Sequence, residues 1–251
     1  EPELHIAPRR LLDSAHGASA AGTSAAGRTS GPGASASPSL ALATLLAQQA
    51  ARDTPESAFA QLFSLWGAHF QPGPGADPCA QAADQGLACY EQKGSLAQLR
   101  LYNRPAILLL EDDAGAPHLV VLRGLDDERA RVQVGGRTQF VSIAELSRYW
   151  FGDFTLLWQP QMRDVRALHP GMRGAEVLQL RQDLQRLAGG AAAGAPAGGD
   201  LYDGTLSQMV RDFQRRHRLS VDGVAGVQTL VVLNSATAKP DSPLLSAAHG
   251  S

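Results

Sequence analysis

Large apolar residues are distributed unevenly along the chain, and their pattern separates a core-forming stretch from two flanks. Residues 14–38 consist almost entirely of Ala, Ser, Gly, Thr and Pro. Such a stretch buries too little surface to offset the entropy of ordering, so residues 1–39 are predicted to be a flexible linker. Large apolar residues recur at regular spacings from Leu40 to Leu233. The polar segment 236–251 that follows is predicted to be a disordered tail.

Residues 40–160 carry a mixture of helical and strand-like patterns. The leucine spacing at the start suits a short helix, and a second helix is predicted after an N-cap at Asp53 or Thr54. The capping-box sequence Ser142-x-x-Glu145 predicts a third helix. We therefore predict an α+β domain, a small antiparallel sheet with one or two helices packed on it. Apolar runs between turn signals predict its strands over residues 106–110, 118–122, 130–134 and 154–158.

Residues 165–235 show only helical periodicity, which predicts an all-α domain of three helices. An apolar residue and an Asp-Gly pair precede the second and the third helix, with the aspartates at Asp203 and Asp222. The Asp can accept hydrogen bonds from amides at the helix start, and the Gly tolerates a positive φ. The sequence thus predicts an α+β domain followed by a small all-α domain.

Composition and charge exclude several classes of protein. The formal net charge of the 251 residues is −2, which argues against a nucleic-acid-binding protein. No stretch reaches the roughly 20 apolar residues that a membrane-spanning helix needs. The start shows neither an initiator Met nor a signal-peptide pattern. We therefore expect Glu1 to lie inside a longer protein, whose membrane anchor is outside this sequence.

Cysteine and histidine spacing bears on redox and metal chemistry. The two cysteines, Cys79 and Cys89, match no zinc pattern. A local disulfide formed in an oxidising compartment is the simplest interpretation, and two free thiols in a cytosolic protein are the alternative. The seven histidines are scattered, without H-x-x-H or H-x-H spacing. We therefore predict no metal site and no cofactor.

The all-α region contains two distinctive motifs. They are LHPGMRGAEVLQLRQDLQRL over residues 168–187 and a D-G-x-x-G-x-x-T spacing over residues 222–229. With them, residues 165–235 resemble the peptidoglycan-binding domain of the three-helix type, although Leu206 stands where that family commonly has Thr. The resemblance implies a peptidoglycan groove near the second motif. The candidate ligand-binding residues are Tyr202, Asp203, Arg211, Arg215, Asp222, Gly223, Gly226 and Thr229.

Each of these candidates also has a purely structural interpretation. Arg211 and Arg215 suit the carboxylates of peptidoglycan stems, because a guanidinium can bind a carboxylate through two hydrogen bonds. They could instead form a solvated helix face. Tyr202 is either a platform for a sugar or peptide face or a core residue. Asp222 and Thr229 are either ligand contacts or turn and cap residues.

The α+β region contains three further motifs. They are GLACYEQKGSLAQLRLYNRPAILLL over residues 86–110, HLVVLRGL over 118–125 and YWFGDFTLLW over 149–158. This region resembles the C39-peptidase-like fold. The order of the two domains, over residues 55–235, resembles the periplasmic part of the general secretion pathway protein A family of bacterial type II secretion. That resemblance implies a periplasmic location and an ATPase domain and inner-membrane helix earlier in the full-length chain. The implied partners are general secretion pathway protein B and the outer-membrane secretin.

Cysteine-peptidase activity can be tested against the residues present. Such a site needs a thiol activated by a His, with an Asp or Asn that orients the ring. By the resemblance, His118 holds the His position, and the nucleophile should lie at the start of the helix before Trp66. No Cys is there, and Val134 and Gly135 occupy the place of the orienting Asp.

The resulting prediction is a non-catalytic periplasmic module. It is expected to bind peptidoglycan and a partner inner-membrane secretion protein, and so to help the secretin assemble through the cell wall. The alternative is a cell-wall-associated cysteine-peptidase-like or wall-hydrolysing enzyme that its peptidoglycan-binding domain targets.

Overall fold

The computed structural model of the protein describes residues 41–52, 54–162, 165–189 and 199–246. The predicted linker over residues 1–39 lies outside the described residues. Within the described ranges, the first part of the chain forms an antiparallel sheet flanked by helices, and the second part is helical. This arrangement confirms the predicted fold class, an α+β domain followed by an all-α domain.

Six strands form the sheet: β1 (Ala88–Lys93), β2 (Ala106–Glu111), β3 (Pro117–Leu125), β4 (Arg129–Val134), β5 (Arg137–Ser142) and β6 (Trp150–Trp158). Their order is β1-β6-β2-β3-β4-β5, and every neighbouring pair is antiparallel. Strands β2, β3 and β6 lie in the interior and are nearly continuous apolar runs, because helices cover both of their faces.

Strands β1 and β5 were not predicted from the sequence. They are the two edges of the sheet and read ACYEQK and RTQFVS, each with a single fully buried residue. An edge strand with one solvated face needs few apolar residues, so its periodicity is weak. Pairing with β6 and with β4 fixes the two segments as strands.

Five helices flank the sheet: α1 (Leu42–Gln49), α2 (Pro55–Leu65), α3 (Pro78–Asp84), α4 (Leu96–Tyr102) and α5 (Ile143–Tyr149). Helices α2 and α3 pack on one face of the sheet, where Phe59 and Phe63 meet Ile107 and Val121. Helices α1, α4 and α5 pack on the opposite face. The predicted count of one or two helices on the sheet was therefore too low.

Two caps position helices of this domain. The Thr54 hydroxyl accepts a hydrogen bond from the Ser57 amide at 3.2 Å, and Pro55 occupies the first turn of α2. The Ser142 hydroxyl accepts from the Glu145 amide at 3.1 Å and starts α5 as predicted. The Glu145 carboxylate does not complete a capping box, because it accepts a hydrogen bond from the Leu42 amide. It thereby ties the start of α1 to α5.

The helical domain consists of α6 (Ala175–Leu187), α7 (Gly204–Arg216) and α8 (Val227–Ala236). The Leu168 amide and carbonyl bond to Ala225, which draws the segment before α6 onto the turn before α8. Leu206, Val210 and Phe213 form the buried face of α7. Leu206 is fully buried, so a larger apolar residue fills the position where Thr is common.

The two domains share one continuous core. The apolar cluster on the α1, α4 and α5 face of the sheet runs directly into the interior of the helical domain. The Gln228 amide donates to the Tyr102 hydroxyl at 2.9 Å, and the Asn234 amide donates to the Gln159 carbonyl at 2.7 Å. The domains therefore meet through α4 and α8.

The prediction of a disordered tail over residues 236–251 was wrong for its first part. The segment after α8 returns to the sheet domain, where the backbone of Leu245 bonds to Asn103 and Leu125. The Leu245 side chain is 4% exposed, and its burial explains why an otherwise polar segment packs there. Residues 247–251 lie outside the described residues. Within the described ranges, no helix combines the length and the apolar character needed to span a bilayer.

Candidate functional site

The turn before α8 is held together from within by Gln214. This side chain is 1% exposed, and its Nε2 donates to Asp222 Oδ1 at 2.8 Å and to the Val224 carbonyl at 2.9 Å. The same nitrogen lies 3.3 Å from Thr229 Oγ1. Gln214 Oε1 accepts from the Gly223 amide at 3.0 Å. Gln214 was not among the candidate ligand-binding residues predicted from the sequence.

Tyr202 and Asp203 make internal contacts as well. The Tyr202 ring is 1% exposed, and its hydroxyl donates to the Gly223 carbonyl at 2.8 Å. Burial raises the pKa of this phenol well above its usual value. Asp203 caps α7 by accepting from the Leu206 amide at 2.8 Å, and it pairs with the buried Arg181 at 3.0 Å. Of the two interpretations of Tyr202, the structure supports the core residue, because the ring presents no face to a ligand.

The two glycines of the motif differ in their conformational demands. Gly223 has φ +75°, and a Cβ there would lie 2.7 Å from Ser207 Oγ and 2.9 Å from Arg211 Cζ. Gly226 is the N-cap of α8 with φ −71° and open space around its Cα. Only Gly223 therefore requires the conformational freedom of glycine.

Arg211 and Arg215 lie on α7, at the surface. Arg211 passes beside Gly223 and is half-buried, whereas Arg215 pairs with Asp212 at 2.7 Å and is 62% exposed. A ligand contact by any of the eight chosen residues stays a prediction. The internal bonds of Tyr202, Asp203, Asp222, Gly223 and Thr229 account for their presence without a ligand.

A narrow crevice with a cavity volume of about 30 Å³ lies where the helical domain meets the sheet domain. Its apolar wall comes from Leu180, Leu230, Leu233 and Met162, together with Trp158 at the end of β6. Its polar groups are the side chains of Glu176, Gln179, Asp183, Gln161 and Asn234. An apolar cleft with a few convergent polar groups at a domain boundary is typical of a ligand site.

Asp183 is the most unusual residue of this crevice. Its side chain is 4% exposed, and Oδ1 accepts from Gln179 at 3.1 Å and from Arg186 at 3.0 Å. Burial raises the pKa of the Asp183 carboxyl, and the contacts with Gln179 and Arg186 offset this only in part. A buried carboxylate costs free energy, so its presence at a cleft points to a functional role. Its position in an otherwise ordinary helical stripe gave no signal in the sequence.

His118 lies at the start of β3 and is 5% exposed. Its Nε2 is 3.2 Å from Asp112 Oδ2, on the turn between β2 and β3. The sequence pattern predicted the orienting carboxylate near Val134, after the following strand, so Asp112 was not a predicted partner of His118. Burial opposes ionisation of Asp112, but hydrogen bonds from the amides of Ala116 and Ala114 and the contact with His118 lower its pKa overall.

The start of α2, where a peptidase nucleophile was expected, carries no thiol. Ser57 is the nearest hydroxyl after the cap, and its Oγ accepts from Gln61 at 2.9 Å. The two cysteines of the chain are joined in a disulfide, with Cα atoms 5.4 Å apart, between α3 and β1. A cleft of about 350 Å³ lies beside the start of α2. Pro55, Phe59, Phe70, Pro74 and Pro78 line it.

Two family models match the chain in the order of its domains. The peptidase C39-like domain of general secretion pathway protein A matches residues 44–160. The peptidoglycan binding domain family matches residues 173–233. The chain therefore belongs to the class of proteins that join a C39-peptidase-like domain to a peptidoglycan-binding domain.

Similar proteins narrow this class. General secretion pathway protein A of Aeromonas hydrophila is 30% identical over 186 residues, which is 74% of this chain and 33% of that protein. The chain thus spans about a third of the length of that relative. A periplasmic domain of the EpsAB fusion protein of the Vibrio vulnificus type II secretion system is 25% identical with a TM-score of 0.51, and the match covers 76% of this chain and 82% of that one. The chain is thus similar to general secretion pathway protein A across both of its domains.

Proposed function

We propose that this chain is a non-catalytic module that binds peptidoglycan through its helical domain and a partner protein through its sheet domain. The match of residues 173–233 to the peptidoglycan binding domain family is the main support for peptidoglycan binding by the helical domain. The crevice beside α6 and α8 supports it, because a preformed cleft lowers the ordering cost of binding a glycan or peptide strand.

The chemistry of the crevice suits the hydrogen-bond donors of peptidoglycan. Sugar hydroxyls, amide N–H groups and free amines all donate to carboxylates and to amide oxygens. Asp183 and Glu176 supply the carboxylates, and Gln161 and Gln179 supply amides that can also donate. Leucine side chains opposite them suit the methyl groups of N-acetyl substituents and of alanine. The groove is thereby proposed at α6 and α8, rather than at the turn before α8.

The non-catalytic half of the proposal rests on the absence of a nucleophile. Thiol chemistry needs a free thiolate, and both cysteines of the chain are bonded to each other. The His118–Asp112 pair alone could orient a proton acceptor, but it has no thiol to activate at the start of α2. The proposed role of the peptidase-like domain is therefore to provide a binding surface for a partner protein.

The partner and location follow from the family. The EpsAB neighbour is described as a periplasmic domain of a fusion within a type II secretion system. We propose that this chain likewise lies in the periplasm, contacts general secretion pathway protein B and helps the outer-membrane secretin assemble through the wall. An inner-membrane anchor and an ATPase domain elsewhere in the full-length protein belong to the same proposal. The Cys79–Cys89 disulfide fits an oxidising compartment.

Co-sedimentation with purified sacculi at low salt tests the wall-binding half. We expect the wild-type chain in the pellet and Asp183→Asn shifted to the supernatant, with binding weakened roughly 10-fold for one lost charged hydrogen bond. Asp200→Asn is the matched control, because Asp200 lies in the same domain with a 52% exposed side chain paired to Arg173. A wild-type chain that stays in the supernatant contradicts wall binding.

The Asp183→Asn variant also separates a ligand role from a structural one. Because burial raises the pKa of Asp183, the ionised carboxylate is less favourable in the folded state than in the unfolded state, so the neutral amide should leave the free energy of unfolding unchanged or higher. Weaker sedimentation with undiminished stability indicates a ligand contact. Equal sedimentation of wild type and variant would leave wall binding intact and move the site away from the crevice.

Catalysis and partner binding need separate assays. We expect no peptide turnover by the oxidised or the reduced protein. Turnover that disappears on alkylation of Cys79 or Cys89 would contradict the non-catalytic proposal. Isothermal titration with the periplasmic part of general secretion pathway protein B tests the partner half, and an absence of heat at high concentration counts against it.

A further inference from the structure

One part of the sheet surface combines exposed arginines with an exposed aromatic ring. Arg123 on β3, Arg129 and Arg131 on β4 and Phe140 on β5 share one face of the sheet, and we call them the basic patch. The strand register places Arg131 opposite Phe140, and the neighbouring position pairs Arg129 with Ser142. The Phe140 ring is 50% exposed and is one of three large apolar side chains that are exposed among the described residues.

The patch is a continuation of the face that α2 and α3 cover. Those helices bury Ile107, Leu119 and Val121 on the inner strands. Val121 pairs with Gln133 on β4, and from there outwards the side chains of the same face are polar or exposed. No described helix covers β4 and β5 on this face, so about two strands of sheet surface are open.

Contacts within the patch hold its guanidiniums in place. Arg123 Nη1 donates to Gln133 Oε1 at 2.8 Å, and Arg131 Nη2 donates to the Arg123 carbonyl at 3.3 Å. The Arg129 guanidinium lies 5.3 Å from the centroid of the Phe140 ring. Such contacts restrict the long side chains, so less conformational entropy is lost when a ligand binds.

Asp126 is a carboxylate that interacts with the patch without forming an ion pair with it: hydrogen bonds from the Arg129 and Glu128 amides, and also the charge of Arg129, lower its pKa. Among the described residues, no carboxylate forms an ion pair with Arg123, Arg129 or Arg131. The nearby Asp126 turns its Oδ1 to the amides of Glu128 and Arg129, at 2.9 and 2.6 Å. The chain as a whole has a net charge of −2, so three unpaired cations on one face are a local excess.

We propose that the basic patch docks an acidic, extended segment of a protein partner. Carboxylates of the segment pair with the guanidiniums, and an apolar side chain between them covers Phe140. An extended peptide suits this spacing, because alternate side chains of a strand recur about every 6.8 Å, as Arg129 and Arg131 do along β4. A polyanion without apolar groups would leave Phe140 exposed.

This inference rests on the proposed function, in which the sheet domain binds a partner protein. It specifies the surface that binds the partner and the chemical groups that the partner must carry. The basic patch shares no residue with the crevice, which is lined by α6, α8, the segment after β6 and Trp158 at the end of β6. The two functions can therefore be separated by mutation.

A labelled peptide of alternating Glu and Val provides the first probe, with a Lys and Val peptide as its counterpart. Fluorescence anisotropy with the full chain should detect binding of the acidic peptide only, weakened by added salt. The variant Arg129→Glu with Arg131→Glu should weaken binding at least 10-fold. The control Lys93→Glu with Arg148→Glu carries the same charge change at side chains 67% and 66% exposed, on β1 at the other edge of the sheet and on α5, and should change binding less than twofold.

Phe140→Ser tests the apolar contact without a change in charge. Because Phe140 is exposed, this variant should fold normally and still bind the acidic peptide several-fold less tightly. Circular dichroism confirms folding of every variant. If Phe140→Ser binds the acidic peptide as tightly as the wild type, only charge contributes to binding. That result would contradict the proposal of an acidic segment with an apolar side chain that covers Phe140.

The remaining outcomes also decide the matter. Equal losses in the patch and control variants, or no binding of the acidic peptide, overturn the proposal. Sacculi binding should survive in the patch variant, and its loss would assign the patch to the wall polymer. Binding to anionic lipid vesicles but not to the peptide would assign it to the membrane surface. If general secretion pathway protein B binds the wild type and the patch variant equally, the basic patch is not its binding surface, although it remains the partner. If the acidic peptide binds the patch and general secretion pathway protein B does not bind the chain, the patch is a docking surface for a different partner.

Discussion

Arg104 joins the two domains, and its removal should loosen their contact. The residue follows α4 and is 1% exposed. Its Nη2 donates to the carbonyl and to Oδ1 of Asn234, at 2.9 and 2.8 Å, and its Nη1 donates to the Pro243 carbonyl at 3.1 Å. The guanidinium also lies 5.3 Å from the centroid of the Trp66 ring. Burial lowers the pKa of Arg104 to about 10, so the group keeps its charge and all its donors at neutral pH.

The size of the effect can be worked out from these contacts. Hydrogen bonds from a charged donor contribute about 1.5–3 kcal/mol each, and a buried cation–π contact about 1–2 kcal/mol. The guanidinium must be desolvated to make them, which cancels a large part of the sum. Arg104→Ala recovers that desolvation but leaves two buried carbonyls without a donor. We expect the free energy of unfolding to fall by about 3 kcal/mol and the melting temperature by roughly 6–12 °C.

Urea denaturation followed by circular dichroism measures this loss. Arg173→Ala is the control, because its ion pair with Asp200 is exposed and should contribute less than about 1 kcal/mol. A double-mutant cycle with Asn234→Ala should give a coupling energy of at least about 1 kcal/mol. An Arg104→Ala variant within about 0.5 kcal/mol of wild type, or additive effects in the cycle, would refute the role of Arg104 as a link between domains.

Three further predictions concern single features. Gly223 has φ +75°, and a Cβ added there would lie 2.7 Å from Ser207 Oγ, so Gly223→Ala should lower the free energy of unfolding by about 1–3 kcal/mol. Gly226→Ala should leave the free energy of unfolding unchanged. Equal effects of the two substitutions in thermal denaturation would contradict this prediction. Reduction of the Cys79–Cys89 disulfide, which closes a separation of 10 residues, should lower the free energy of unfolding by about 2.5 kcal/mol. An unchanged midpoint of urea denaturation would contradict this prediction. The lowered pKa of Asp112 means that its contribution is present above about pH 4 and is lost as pH falls through the folded-state value. Asp112→Asn should therefore flatten the acid side of the stability profile, and an unchanged slope would show that Asp112 contributes nothing there.

The sequence predicted the elements whose residues are buried on a regular period. Strand β3 and helix α7 were found because nearly all their core positions are large and apolar. Edge strands β1 and β5 were missed because their conformation is set by pairing rather than by their own composition. Helix α4 had a usable signal in its capping box, Ser95 with Gln98, which we did not apply.

The functional residues were harder to predict than the fold. A motif shows which residues recur together, but the same residues can support a turn or contact a ligand. Asp222 and Thr229 form the turn through Gln214, a contact between positions that no local spacing reveals. Asp183 became a candidate only once its burial and the neighbouring Trp158 were known, because both depend on how the domains meet.

The geometry suggests a reason for joining a C39-peptidase-like domain to a peptidoglycan-binding domain. Trp158, at the end of β6, forms part of the crevice, so the helical domain alone would present an incomplete cleft. Arg104 and the segment before Leu245 hold that arrangement from the sheet side. The basic patch lies on the opposite face of the same sheet, on β3 to β5. A rigid sheet that contributes Trp158 to the crevice and carries the basic patch would keep the wall and the partner at a fixed separation. Two flexibly linked domains would not fix that separation.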